Sequence, residues 1–163
     1  ELSEENAAQT AKALNIIQPD FIRVHATGIK LESKLGEFVR DGSFTLQSEE
    51  EIVIEQKLFL QQLHEMDSYY VNEHIVNLLL EVRGSLRTEK QEMLSTIDRF
   101  LTLPPDERLL FTVGRRLNIF FRLDDLKKPK LHQKAGESLQ QILSKNPHVD
   151  FAALCNYVRQ SQI

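Results

Sequence analysis

The chain has 163 residues, a formal net charge of −4 and a mean hydropathy of −0.33. Its length suits one domain with a sizeable core, and its 41% apolar and 27% charged residues are ordinary for a globular protein. The single cysteine, Cys155, excludes an internal disulfide framework and a cysteine-based zinc site, and no apolar run is long enough to span a bilayer. We therefore expect an intracellular protein, cytoplasmic or nuclear. Because no methionine precedes Glu1, we expect a processed chain or a piece of a larger protein.

Helical patterns dominate the first half of the chain, where apolar residues recur every three or four positions. Ser48 and Glu51 have the spacing of a capping box and mark one helix start, and Asp41-Gly42-Ser43 is a clear stop. The predicted helices run from Ser3 to about Ile17, from Pro19 to Val39, from Ser48 to Met66 and from Asp67 to Leu86.

The second half contains the most apolar helix, predicted over residues 103–123 and started by Pro104 and Pro105. Its inner arc is predicted to hold Leu109, Leu110, Val113, Leu117, Phe120, Phe121 and Leu123. Three further helices are predicted at Glu89 to Leu101, at Lys130 to Ser144 and after the capping residue Asp150. These segments predict an all-α fold of about eight helices in antiparallel hairpins, an irregular HEAT- or VHS-like right-handed helical stack, in a single domain over residues 1–163.

The two signs of charge are unevenly distributed along the chain. Seven acids and only Lys57 lie between Glu49 and Glu73, whereas eight bases and two acids lie between Arg108 and Lys134. Such asymmetry suggests an interaction surface. The alternative is that the two segments complement each other inside the fold or are merely solvated.

A basic face on the helix predicted over residues 103–123 is the sharpest candidate site. Phe111 falls in the polar sector near Arg108, Arg115 and Arg122, and arginine and aromatic residues are enriched at interface hot spots. The loop lysines that could extend this surface are Lys127, Lys128 and Lys130. The alternative is that Phe111 packs on a neighbouring helix while the arginines pair with acids.

No motif in the sequence indicates catalysis. The five histidines form neither HExxH nor ExxH, and the six scattered glycines form no phosphate-binding loop. Cys155 shares an apolar helix face with Phe151, Leu154 and Val158, which predicts a buried small side chain rather than a nucleophile. The acids at 49–51 are interpreted as a helix N-terminus. We therefore predict no enzyme, no metal and no cofactor.

The leading hypothesis is a noncatalytic protein–protein interaction or scaffold module that binds a partner helix or peptide in a groove between helices. The alternative is a helical nucleic-acid-binding module, whose phosphate contacts would come from Arg108, Arg115, Arg122, Lys127, Lys128 and Lys130. The sequence pI of about 5.8 counts against that alternative. A homodimer through the same surface is a third arrangement.

Overall fold

A computed structural model of the chain describes residues 2–162. About 57% of the chain is helical, so the prediction of a mostly helical protein is confirmed. The described α-helices are α1 (Leu2–Ile17), α2 (Lys34–Arg40), α3 (Glu49–Gln62), α4 (Lys90–Leu101), α5 (Pro105–Arg116), α6 (Pro129–Lys145) and α7 (Phe151–Gln160), with a 3₁₀ helix at Leu123–Lys127. The strands are β1 (Phe21–Arg23), β2 (Tyr69–Val71) and β3 (Gly84–Ser85). This small sheet contradicts the strictly all-α class, and the HEAT- or VHS-like stack is not confirmed.

The residues group into two compact units. Unit 1 comprises the residues up to His25 together with Glu50–Leu103, and unit 2 comprises Ala26–Glu49 together with the residues from Pro104 onward. Unit 1 holds the sheet with α1, most of α3 and α4, and unit 2 holds α2, α5, the 3₁₀ helix, α6 and α7.

The helix predicted from Pro19 to Val39 is wrong over most of its length, because residues 21–23 form β1 and residues 24–33 contain neither helix nor strand. β1 pairs with β2 in parallel, with Ile22 opposite Tyr70, and β2 pairs with β3 in the antiparallel direction. Backbone hydrogen bonds continue past both ends of β1, where Tyr69 N donates to Asp20 O at 2.8 Å and Val24 N donates to Val71 O at 3.1 Å. These bonds join residues that are far apart in sequence, so helical periodicity could not reveal them. Only the short helix α2, capped by Ser33, remains of the prediction.

The predicted helix from Asp67 to Leu86 is also wrong. β2 and β3 take up its two ends, and turns lie between them. Two buried asparagines hold these turns: the Asn72 amide donates to the Leu79 carbonyl at 2.6 Å, and the Asn77 amide donates to the Val24 carbonyl at 2.8 Å. Asparagine side chains that bond backbone groups in this way compete with helical hydrogen bonding.

Helices α1 and α3 of unit 1 agree with their predicted positions. Asn15 joins them, because its amide donates to the Gln62 carbonyl at 2.8 Å and its oxygen accepts from His64 N at 2.7 Å. Ala7 and Ala11 of α1 are buried, whereas Ile17 at its end is 66% exposed.

Unit 2 is built around α5, which contacts both α6 and α7. The predicted helix over 103–123 ends early, at Arg116, because Asn118 takes a left-handed conformation with φ 57° and Ile119 N bonds back to Gly114 O at 2.8 Å. The residues Leu123–Lys127 that follow form the 3₁₀ helix, so Lys127 does not lie in a loop as predicted. Asp150 caps α7 as predicted, since its carboxylate accepts from the backbone of Ala152 and Ala153.

Candidate binding pocket

Gly114 determines where the residues after α5 lie. The chain that turns back after Arg116 places the Phe120 ring against Gly114, where a Cβ atom would lie 2.4 Å from Cδ2 of Phe120. Phe120 in turn stacks on Phe111, with ring centroids 5.9 Å apart and planes 8° from parallel. Both rings are fully buried. Packing at this turn therefore draws Phe111 into the core.

The exposure predicted for Phe111 and Arg115 is accordingly wrong. Both are fully buried, and the Arg115 guanidinium lies 5.7 Å from the Phe121 ring centroid. Burial, followed by the charge of Arg116, lowers the pKa of Arg115 to about 10, while Glu49 acts in the opposite direction. Conversely, Leu117 and Phe121 were predicted in the core and are 43% and 48% exposed. The helical wheel no longer applies beyond Arg116, which explains the exposure of Leu117 and Phe121. Phe111 lies within α5 and is buried because Phe120, after the turn, packs against it.

Glu49 lies at the centre of a buried ion cluster in unit 2. Arg116 of α5 donates from Nε to Oε1 of Glu49 at 3.1 Å and from Nη2 to Oε2, and Arg159 of α7 donates from Nη1 to Oε1. All three side chains are at least 95% buried. The interpretation of the acids at 49–51 as a helix N-terminus omits this role of Glu49, and Arg116 is not among the arginines of the predicted basic face.

Cys155 lies next to this cluster and is buried, as predicted. Burial, with a further contribution from the nearby Glu49 carboxylate, raises the pKa of the thiol to about 12. The side chain therefore stays a neutral thiol at physiological pH, and a thiol in that state is a poor nucleophile.

A solvent-accessible depression of about 590 Å³ lies in unit 2 beside the 3₁₀ helix. We call it the basic pocket, and its lining residues are Asn118, Ile119, Phe121, Arg122, Asp125, Lys128, Leu131 and Lys134. Three basic side chains and one acid thus surround apolar surface. Arg122, Lys128 and Lys134 are exposed, and Phe121 is half-exposed at 48%.

Asp125 is the buried acid in the lining of the basic pocket. Its carboxylate accepts hydrogen bonds from the backbone of Phe121 at 2.8 Å and of Arg122 at 2.9 Å, and it lies 2.7 Å from Nζ of Lys128. Burial acts to raise the pKa of Asp125, but the bonds from Lys128 and from the two backbone N–H groups outweigh it, so the pKa lies below its ordinary value. The Asp125 carboxylate is therefore already bound by Lys128 and two backbone N–H groups, whereas Arg122 and Lys134 are exposed to solvent.

The predicted site residues do not all come together. Arg122 and Lys128 line the basic pocket, while Lys127 and Lys130 are exposed nearby on the chain without lining it. Arg108 is half-buried on α5 and also lies outside the lining. Whether any of these residues binds a partner stays a prediction.

Sequence reasoning missed Phe121, Leu131 and Lys134 as pocket residues. One signal was available for Leu131 and Lys134, because they are spaced by three and neighbour each other on the surface of α6. For Phe121 no local signal existed, since its exposure follows from the turn after Arg116.

Among residues 2–162, no three His, Cys, Asp or Glu side chains come close enough to hold a metal ion. No helix within that range is both long and apolar enough to cross a bilayer. Comparison of the chain with protein-family models, curated proteins and solved structures found no significant match.

Proposed function

We propose that this protein is a noncatalytic interaction module that binds a peptide segment of another protein in the basic pocket. The supporting observation is the lining itself, which contains the exposed bases Arg122 and Lys134 together with the half-exposed ring of Phe121. Peptide sites commonly combine apolar contact surface with a few charged groups that fix orientation. The expected partner segment carries an acidic side chain or a terminal carboxylate next to an aromatic or aliphatic residue.

The charges of the pocket favour an acidic partner. Guanidinium groups bind carboxylates in a bidentate manner, and the one acid of the lining, Asp125, already accepts from Lys128 and two backbone N–H groups. A cytoplasmic or nuclear partner is part of this proposal, in agreement with the expectation from cysteine usage.

The test is selection from a random 12-residue peptide display library, followed by affinity measurement. The variant is Arg122→Glu with Lys134→Glu, both exposed positions. Arg115 is unsuitable for charge reversal because it is fully buried. The matched control is Lys12→Glu with Lys145→Glu, which makes the same change of charge at exposed positions outside the pocket.

We expect enriched peptides to pair an acid with an apolar residue and to lose at least about tenfold in affinity, roughly 1.4 kcal/mol, in the pocket variant. The control should bind like wild type. If the pocket variant bound the selected peptides with the wild-type affinity, the proposal would be refuted. Tighter, steeply salt-dependent binding of RNA or DNA oligonucleotides than of any selected peptide would instead favour the nucleic-acid alternative.

A further inference from the structure

Two histidines meet at one edge of the sheet in unit 1. Because β1 and β2 are parallel, their carboxyl ends lie at the same edge, where His25 follows β1 and His74 follows β2. The two rings stack with centroids 4.3 Å apart and planes 25° from parallel. The parallel pairing therefore brings the two imidazole rings side by side at this edge.

The two strand ends are fixed by buried amides. The Asn77 side chain donates to the Val24 carbonyl, directly before His25, at 2.8 Å, and also to the Asn72 carbonyl at 3.3 Å. Asn72 is itself anchored to Leu79. Binding groups held by such a network lose little further freedom when a ligand arrives.

The charges around the pair determine which ligand fits. His25 is exposed, and slight burial, the neighbouring His74 and the charge of Arg23 together lower its pKa. His74 accepts a hydrogen bond from Val76 N at 3.4 Å through Nδ1, so in the neutral ring Nε2 carries the proton. The adjacent acid, Glu73, pairs with Arg83. The charged side chain that acts on His25 is Arg23, and its charge is positive.

We propose that His25, His74 and Arg23 form a binding site for the anionic group of a small molecule, either a carboxylate or a tetrahedral oxyanion such as a phosphate. A divalent cation fits less well, because the rings stack rather than converge on one point and Arg23 would repel it. Among residues 2–162 no third metal ligand joins the pair. An anion beside His25 favours its protonated form, so binding takes up a proton and strengthens as the pH falls.

The test uses sulfate and oxalate as separate probes, since both keep their full charge between about pH 6 and about pH 8. Imidazole NMR signals are followed during titration at both pH values, which bracket the ordinary histidine pKa of about 6.5. We expect at least about tenfold tighter binding at the lower pH and an upward shift of the His25 pKa. Preference for sulfate indicates a phosphate-type ligand, and preference for oxalate indicates a carboxylate.

His25→Gln and Arg23→Gln test the assignment at exposed positions, and His148→Gln is the control because this exposed histidine lies in unit 2. His25→Gln should lose the pH dependence and at least about fivefold in affinity. Arg23→Gln should lose at least about fivefold in affinity but keep the pH dependence, because His25 remains, and the control should keep both. Affinity that does not vary with pH, or that survives in His25→Gln, refutes the site. Stronger perturbation of the His25 and His74 NMR signals by Zn²⁺ than by sulfate or oxalate also refutes the site.

Discussion

Unit 2 uses arginine in two opposite ways. Arg116 and Arg159 are at least 96% buried and bind Glu49, whereas Arg122 is exposed at the basic pocket. Arg116 and Arg122 are only six residues apart, and the turn after α5 separates the two roles. A count of basic residues along the chain therefore overestimates the charge available to a partner, because part of it is neutralised inside the fold.

The largest effect is expected from Glu49→Gln, which removes the acid from the buried cluster. Breaking a buried ion pair by removing one partner costs about 3–5 kcal/mol, since the remaining charge stays desolvated. We expect the free energy of unfolding, measured with urea, to fall by that amount. Glu51→Gln, at an exposed position of the same helix, should change it by less than about 0.5 kcal/mol. Equal changes in the free energy of unfolding for the two variants would show that the buried cluster contributes nothing to stability.

A smaller effect is expected from Gly114→Ala, which tests the turn that separates the two arginine environments. The added methyl group would lie 2.4 Å from the buried Phe120 ring, and such overpacking costs about 1–3 kcal/mol. The matched control is Gly136→Ala in α6, where nothing lies within 4 Å of the added atom. That change should stabilise the protein by about 0.5–1 kcal/mol, because alanine favours helix interiors. Thermal unfolding measurements distinguish the two variants. A Gly114→Ala protein as stable as the wild type would contradict the tight packing of Phe120 against Gly114.

The smallest effect, and a pH-dependent one, is expected from Asp125→Asn in the basic pocket. The folded pKa of Asp125 is below its ordinary value, so its stabilisation is present above the unfolded pKa of about 3.9 and is lost as the pH falls through the folded value. The free energy of unfolding of the wild type should therefore exceed that of the variant by about 1 kcal/mol near pH 7. The difference should shrink in acid. Asp124→Asn, at the exposed neighbour, provides the control. A difference that stays constant with pH would contradict this account.

The sequence by itself determined most of the helices and several of their ends. The apolar spacing of α1, the prolines that start α5 and the capping residue Asp150 of α7 all lie in the structure where the pattern predicts them. These features are local, because a helix bonds residues four apart and buries residues three or four apart. The burial of Cys155 followed from the same periodicity.

Only the tertiary structure decided the sheet, the end of α5, the cluster around Glu49 and the basic pocket. Arg116 and Arg159 meet Glu49 across 67 and 110 residues, and β1 meets β2 across 48. Contacts between residues so far apart leave no periodic trace in one sequence. Where they compete with local helical preference, as at β1 and after Arg116, the free energy of packing and long-range hydrogen bonding outweighs differences in helix propensity of about 1 kcal/mol or less per residue.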